Sequence, residues 1–277
     1  MTTDVRIVEQ HSRAMMEHLI PRSVAVIKHT IADDPDDIGS GTPIEIADRY
    51  FVSTAAHILD DVEISQLGVI ALGSQPGKFD RRTPHLVGWG RRGGGKYDAV
   101  DIAWLEIHPR AAPFLISEWG RTFVKLDRVS LAPVPPEAPM YVFGAPAQFT
   151  RVSQRKGQPR LGVLALPFLT RAIPLQGSGT VGHDLYVEYL REMLTADGPK
   201  PMPAAPGLSG SGLWRVNPNA HGIWSPDSAQ LVGVQHSWRE HEYLRGTLMR
   251  HWLTMVREDI PELSSAIDRV LKYGTSS

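Results

Sequence analysis

Short apolar runs, repeatedly cut by glycine and proline, constrain this chain more than any other feature. Val, Ile, Thr and Tyr cluster over residues 23–27, 42–46, 50–54, 69–72 and 102–107, then again over 140–143, 161–166, 185–190 and 231–235. Runs of this length are too short for helices and carry β-branched and aromatic side chains, so they read as strands of an antiparallel all-β protein. Between the two sets lies a proline-rich stretch, 130–139, with Pro133, Pro135, Pro136 and Pro139. Proline lacks the N–H that a strand interior needs, so a boundary falls there. Helical spacing occurs only at the ends. At the start it runs through Val5, Val8, Met15, Met16 and Leu19 and is closed by Pro21; at the finish it runs through Leu244, Leu248, Trp252 and Met255, then Leu263, Ile267 and Leu271 beyond Pro261. The expected organisation is a helical segment over 1–21, a β-block over 22–130, a second over 131–243 and a helical tail over 244–277 packed on them.

With 277 residues and 42% hydrophobic side chains the chain can bury a sizeable core. Its 29 basic and 30 acidic residues leave a net charge of −1, so nothing in the bulk charge draws it to nucleic acid or anionic lipid. Cysteine is absent, which excludes disulfides, thiolate metal sites and a cysteine nucleophile. Asp4, Arg6, Glu9, Arg13 and Glu17 interrupt any apolar signal core near the start, and no run reaches the ~20 apolar residues of a bilayer span. A cytoplasmic protein without a membrane partner is expected.

Three segments carry residues suited to chemistry. In Pro206-Gly207-Leu208-Ser209-Gly210-Ser211-Gly212 a serine lies among glycines that let backbone N–H groups approach a substrate. In Phe51-Val52-Ser53-Thr54-Ala55-Ala56-His57 a strand runs through small residues into one histidine. In Asp98-Ala99-Val100-Asp101-Ile102-Ala103-Trp104-Leu105 an acid leads into an apolar strand. Singly, these read as a flexible turn, a structural histidine and a strand-start aspartate. Together they supply a nucleophile, a base and an acceptor that fixes the base's tautomer.

In that order and spacing, Thr54-Ala55-Ala56-His57, Asp101-Ile102-Ala103-Trp104-Leu105 and Gly207-Leu208-Ser209-Gly210-Ser211 resemble the His, Asp and Ser motifs of trypsin-like serine peptidases, the chymotrypsin superfamily, in their bacterial or intracellular form. Gly39-Ser40-Gly41, one hairpin before the histidine, and Val142-Phe143-Gly144-Ala145-Pro146, like the opening strand of a second barrel, extend the resemblance over about 23–238. It implies two antiparallel six-stranded β-barrels and endopeptidase activity without metal or cofactor. His57, Asp101 and Ser209 would be the catalytic residues, with Asp98 as a rival acid, and the N–H groups of Gly207 and Ser209 the oxyanion hole. Pro203, Ala204, His236, Ser237 and Trp238 fall where the family lines its substrate pocket. No carboxylate stands there, so a preference for Arg or Lys is not implied, whereas His236 is a candidate to recognise an acidic or polar side chain. Leu208 replaces the aspartate that pairs with a new N-terminus in secreted members. The partner implied is a protein or peptide substrate, with a regulatory protein in addition. The competing expectation is a peptidase-fold binding or signalling module, silent or gated by such a partner.

Other patterns lack context. Gly88-Trp89-Gly90-Arg91-Arg92-Gly93 and Gly95-Lys96 precede no helix pattern, as a phosphate loop would need. His241-Glu242 has Arg245 where a zincin needs its second histidine, and the acidic run 33–37 is broken by Pro35.

Overall fold

A computed structural model describes residues 5–29, 35–72, 86–94, 100–118, 120–155, 158–163, 166–177, 179–195, 198–216 and 225–273. Helix α1 (Val5–Leu19) leads into the first β-block: β1 (Val24–His29), β2 (Pro35–Ile46), β3 (Arg49–Thr54), β4 (Leu67–Ala71), β5 (Leu86–Gly93), β6 (Asp101–Ile107) and, after the short helix α2 (Ala112–Ser117), β7 (Val124–Lys125). The second comprises β8 (Pro139–Gly144), the hairpin β9 (Thr150–Arg155) and β10 (Gln158–Val163), β11 (Leu166–Ile173), β12 (Asp184–Glu188), the hairpin β13 (Glu192–Thr195) and β14 (Gly198–Pro201), β15 (Gly212–Val216), β16 (Ala229–Arg239) and β17 (Tyr243–Leu248). Helices α3 (Met249–Asp259) and α4 (Ser264–Tyr273) end the described chain.

The second block is the six-stranded closed barrel that the resemblance implies, ordered β11-β12-β17-β16-β15-β8. The first is a curled sheet ordered β4-β1-β2-β3-β6-β5, with β7 pairing β2 in parallel, and its ladder does not close among the described residues. Residues 244–248, read above into the helical tail, are instead part of β17, which joins β12 to β16 and completes the second barrel. The spacing of Leu244 and Leu248 suits a helix, but Tyr243, Arg245 and Thr247 alternate with Leu244 and Gly246, and the ladder takes up that period of two.

Apolar residues are continuous along β6 and β8 because both faces of each strand are covered. Ala103, Leu105 and Ile107 enter the core of the first sheet, while Ile102 and Trp104 join a larger cluster with Phe51, Tyr141, Phe143, Trp214 and Trp252. Met140 and Val142 fill the second barrel, and Tyr141 and Phe143 face that same larger cluster. The main core therefore lies between the blocks. Complete burial of a large apolar side chain contributes about 1.5–3 kcal/mol, and Trp214, Trp252, Tyr141, Phe51 and Phe143 are all less than 2% exposed.

Helix α3 leaves the second block and docks on the first. The Trp252 indole N–H donates to the Ala103 carbonyl at 2.8 Å, and the Trp104 indole N–H to Asp259 Oδ2 at 2.9 Å. Arg92 also pairs with Asp259. In the first block, buried Arg121 directs one guanidinium nitrogen at the carbonyls of Ile20 (2.6 Å), Ser23 (3.1 Å) and Leu72 (2.8 Å), tying the exit of α1 to the end of the β1–β4 pair where β1 begins and β4 finishes. Burial lowers the Arg121 pKa to about 10, so it stays charged at neutral pH. Replacing Arg121 with Met would leave these carbonyls without that donor; chemical denaturation is expected to register a loss of about 3 kcal/mol or more.

Candidate active site

The histidine sits where β3 ends. Thr54 is the last ladder residue, Ala55 is extended, and a tight helical turn over Ala56–Leu59 follows. Ala55 and Ala56 are fully buried, so the turn is seated by its methyl groups and presents the His57 ring with 34% of its side chain exposed. Asp101 opens β6, the strand beside β3. Its carboxylate faces His57 twice: Oδ2 lies 2.7 Å from the imidazole Nδ1, and Oδ1 accepts the His57 backbone N–H at 3.1 Å. A carboxylate cannot donate, so the ring proton belongs on Nδ1 and the lone pair on Nε2. Burial raises the Asp101 pKa, but its bond to His57 and the nearby imidazoles outweigh that and leave it below the ordinary carboxylate range. Asp98 lies outside the described residues.

Ser209 lies in the loop between β14 and β15, whose shape depends on glycine. Gly207 and Gly210 both have φ +89°. A Cβ on Gly210 would overlap the Ser40 carbonyl and the Thr54 hydroxyl, and one on Gly207 would overlap Ala145 O. Within the loop, Leu208 N–H donates to Ala205 O at 2.9 Å and Ser211 N–H to Leu208 O at 2.8 Å, while Gly210 N–H reaches Gln235 O on β16 at 2.7 Å. The N–H groups of Gly207 and Ser209 have no hydrogen bond among the described residues.

One serine joins this loop to the other block. Ser40 N–H donates to Ser209 O at 2.7 Å. Its hydroxyl donates to Gly207 O at 2.8 Å and accepts the Ala145 N–H at 2.9 Å. Its carbonyl accepts the Thr54 hydroxyl at 2.8 Å, three residues before His57. The Ser209 backbone is thus fixed against the strand pair that delivers the histidine.

The sequence-derived pocket residues separate. Pro203 is buried, its carbonyl accepting the Tyr189 hydroxyl, and exposed Ala204 donates its N–H to Gln148 Oε1 at 3.1 Å. Ser237 is half-buried and Trp238 is exposed. His236 is enclosed: its side chain is 2% exposed and its Nδ1 lies 3.9 Å from Asp101 Oδ2. The cause is a bulge in the β16–β17 ladder, which spacing cannot reveal: Gln235 opposes Gly246, Ser237 opposes Arg245, and His236 is the extra residue. Burial lowers its pKa to about 4, so the ring is neutral at pH 7. The glycine string 88–93 belongs to strand β5, and His241 lies in the turn before β17. No group of three or more His, Asp or Glu suited to a metal ion occurs among the described residues.

No protein-family model matches this sequence, and no curated protein does. Solved structures do. The Rv3671c protease of M. tuberculosis in its active form is 15% identical, covering 89% of this chain and 84% of its own, with a TM-score of 0.51. Human heparin binding protein is 14% identical over 88% of this chain and 92% of its own, with a TM-score of 0.52. The scabies mite inactivated protease paralogue S-D1 is 12% identical over 89% and 94%, also at 0.52. The described helices contain none long and apolar enough to cross a membrane. With its closed six-stranded barrel, its curled partner sheet and its terminal helices, the chain has the trypsin-like fold.

Proposed function

We propose that the protein is a serine endopeptidase working through Ser209, His57 and Asp101. The observation that carries this reading is the doubly bonded His57–Asp101 pair, which leaves the basic lone pair on Nε2. In the proposed reaction the Ser209 hydroxyl attacks the scissile carbonyl and His57 Nε2 takes its proton. The oxyanion of the tetrahedral intermediate receives the Gly207 and Ser209 N–H groups, a contribution of about 3 kcal/mol per donor in the transition state. His57 returns the proton to the amine as the C–N bond breaks, leaving an acyl-enzyme on Ser209. Water, deprotonated by the same base, releases the acid and restores the serine. Asp101 stays ionised throughout and stabilises the imidazolium.

The second reading is a peptidase-fold binding or signalling module whose site is silent or opened by a regulatory partner. It is favoured by the spread of this fold to proteins described as heparin binding or as inactivated. Against it, Ser209, His57 and Asp101 are all retained and the glycine loop is closed around Ser209. Purified protein is expected to cleave an unfolded substrate such as casein, with Ser209→Ala abolishing cleavage while leaving the circular dichroism spectrum and melting temperature unchanged. Equal behaviour of the two proteins would favour the binding module. Activity should also fall as pH drops through roughly 6 to 7, because a protonated imidazole accepts no proton; a flat profile across that range would remove His57 from the mechanism.

A further inference from the structure

Asp101 is bracketed by two imidazoles. His57 bonds to Oδ2 at 2.7 Å, and His236, arriving from the other barrel, places its Nδ1 3.9 Å from the same oxygen. That is longer than a hydrogen bond, so the contact acts as an oriented dipole beside the carboxylate. The bulge at His236 turns one side chain out of strand alternation and toward Asp101. Its ring is buried with Nε2 lacking a hydrogen-bond partner among the described residues. A buried polar nitrogen left unpaired costs stability, and an aliphatic side chain would fill this space without that cost.

The charged and titratable groups around His236 are Asp101 on β6, His57 in the turn after β3, Arg245 on β17 and Asp184 on β12. Arg245 and Asp184 satisfy each other, with Nε and Oδ1 2.9 Å apart. Asp101, which His57 bonds from its other side, is the charge whose oxygen stands 3.9 Å from the His236 ring.

Resting on the peptidase reading above, we propose that His236 is a positioning residue, a second imidazole whose Nδ1–H faces the Asp101 carboxylate and softens its pull on the His57 proton. Its ring touches no substrate, so its loss acts on kcat and leaves KM unchanged. Without the dipole Asp101 attracts the imidazolium more strongly, and His57 keeps its proton to higher pH.

The test compares His236→Phe, which fills the space without an N–H, with His236→Asn, which restores one; His236→Leu is the second apolar variant should the phenyl ring unfold the chain. Peptide hydrolysis is followed against pH, and the His57 ring is titrated by NMR with nitrogen-15-labelled histidine. The apolar variant is expected to lose about threefold in kcat at neutral pH, less than a charge-assisted hydrogen bond would give because Nδ1 stands 3.9 Å from the carboxylate, with KM unchanged. Its His57 midpoint should move to higher pH, and Asn should recover most of both effects. A folded apolar variant with wild-type kcat and His57 midpoint would overturn the proposal and make His236 a core filler. If the wild type itself hydrolyses nothing, the peptidase reading fails, and the NMR midpoint alone still decides for or against His236.

Discussion

The two halves of the molecule meet at Ser40. Its backbone N–H, hydroxyl and carbonyl are all used between blocks or toward the histidine strand, bonding Ser209 O, Gly207 O, Ala145 N and the Thr54 hydroxyl. No water is needed to satisfy these groups, and each would be costly to leave unpaired in a buried position. Glycine at 210 follows from the same closeness, since a side chain there would overlap Ser40 O and the Thr54 hydroxyl. The loop around Ser209 is thereby a rigid element, although its composition alone suggests a flexible one.

Electrostatics at the site divides along burial. Asp101 is 7% exposed as a residue yet remains ionised because His57 offers it both a ring N–H and a backbone N–H. His236 gains no comparable bond and is neutral. Two histidines beside one carboxylate thus differ in what they can do: His57 is partly open to solvent and hydrogen-bonded, whereas His236 is enclosed and beyond hydrogen-bond reach. Neighbouring groups held in unlike environments are how a single site assigns unlike tasks to like side chains.

Much of this was legible in the order of residues. Strand runs bounded by Gly and Pro report the β-architecture locally, and the small residues before His57 and the apolar run after Asp101 mark where strands end and begin. What was not legible depends on partners distant in the chain. That Arg121 serves carbonyls at Ile20, Ser23 and Leu72 follows from folding alone. So does the docking of α3 on the first sheet, through Trp252 to Ala103 and Trp104 to Asp259. Residues 244–248 suit a helix in sequence because leucines four apart satisfy either period, and only the neighbours β12 and β16 decide between them. The approach of His236 to Asp101 is not readable from spacing, because a bulge changes the direction of a side chain without leaving a mark in composition.

The central claim is that Ser209, His57 and two backbone N–H groups form one assembled nucleophilic site. Intact mass after incubation with a fluorophosphonate tests it without a known substrate, since phosphonylation needs an activated serine and a prepared oxyanion hole. The account predicts one adduct per wild-type chain, lost in both Ser209→Ala and His57→Ala. A wild type that takes up no adduct, or a His57→Ala protein labelled as fast as wild type, would contradict it.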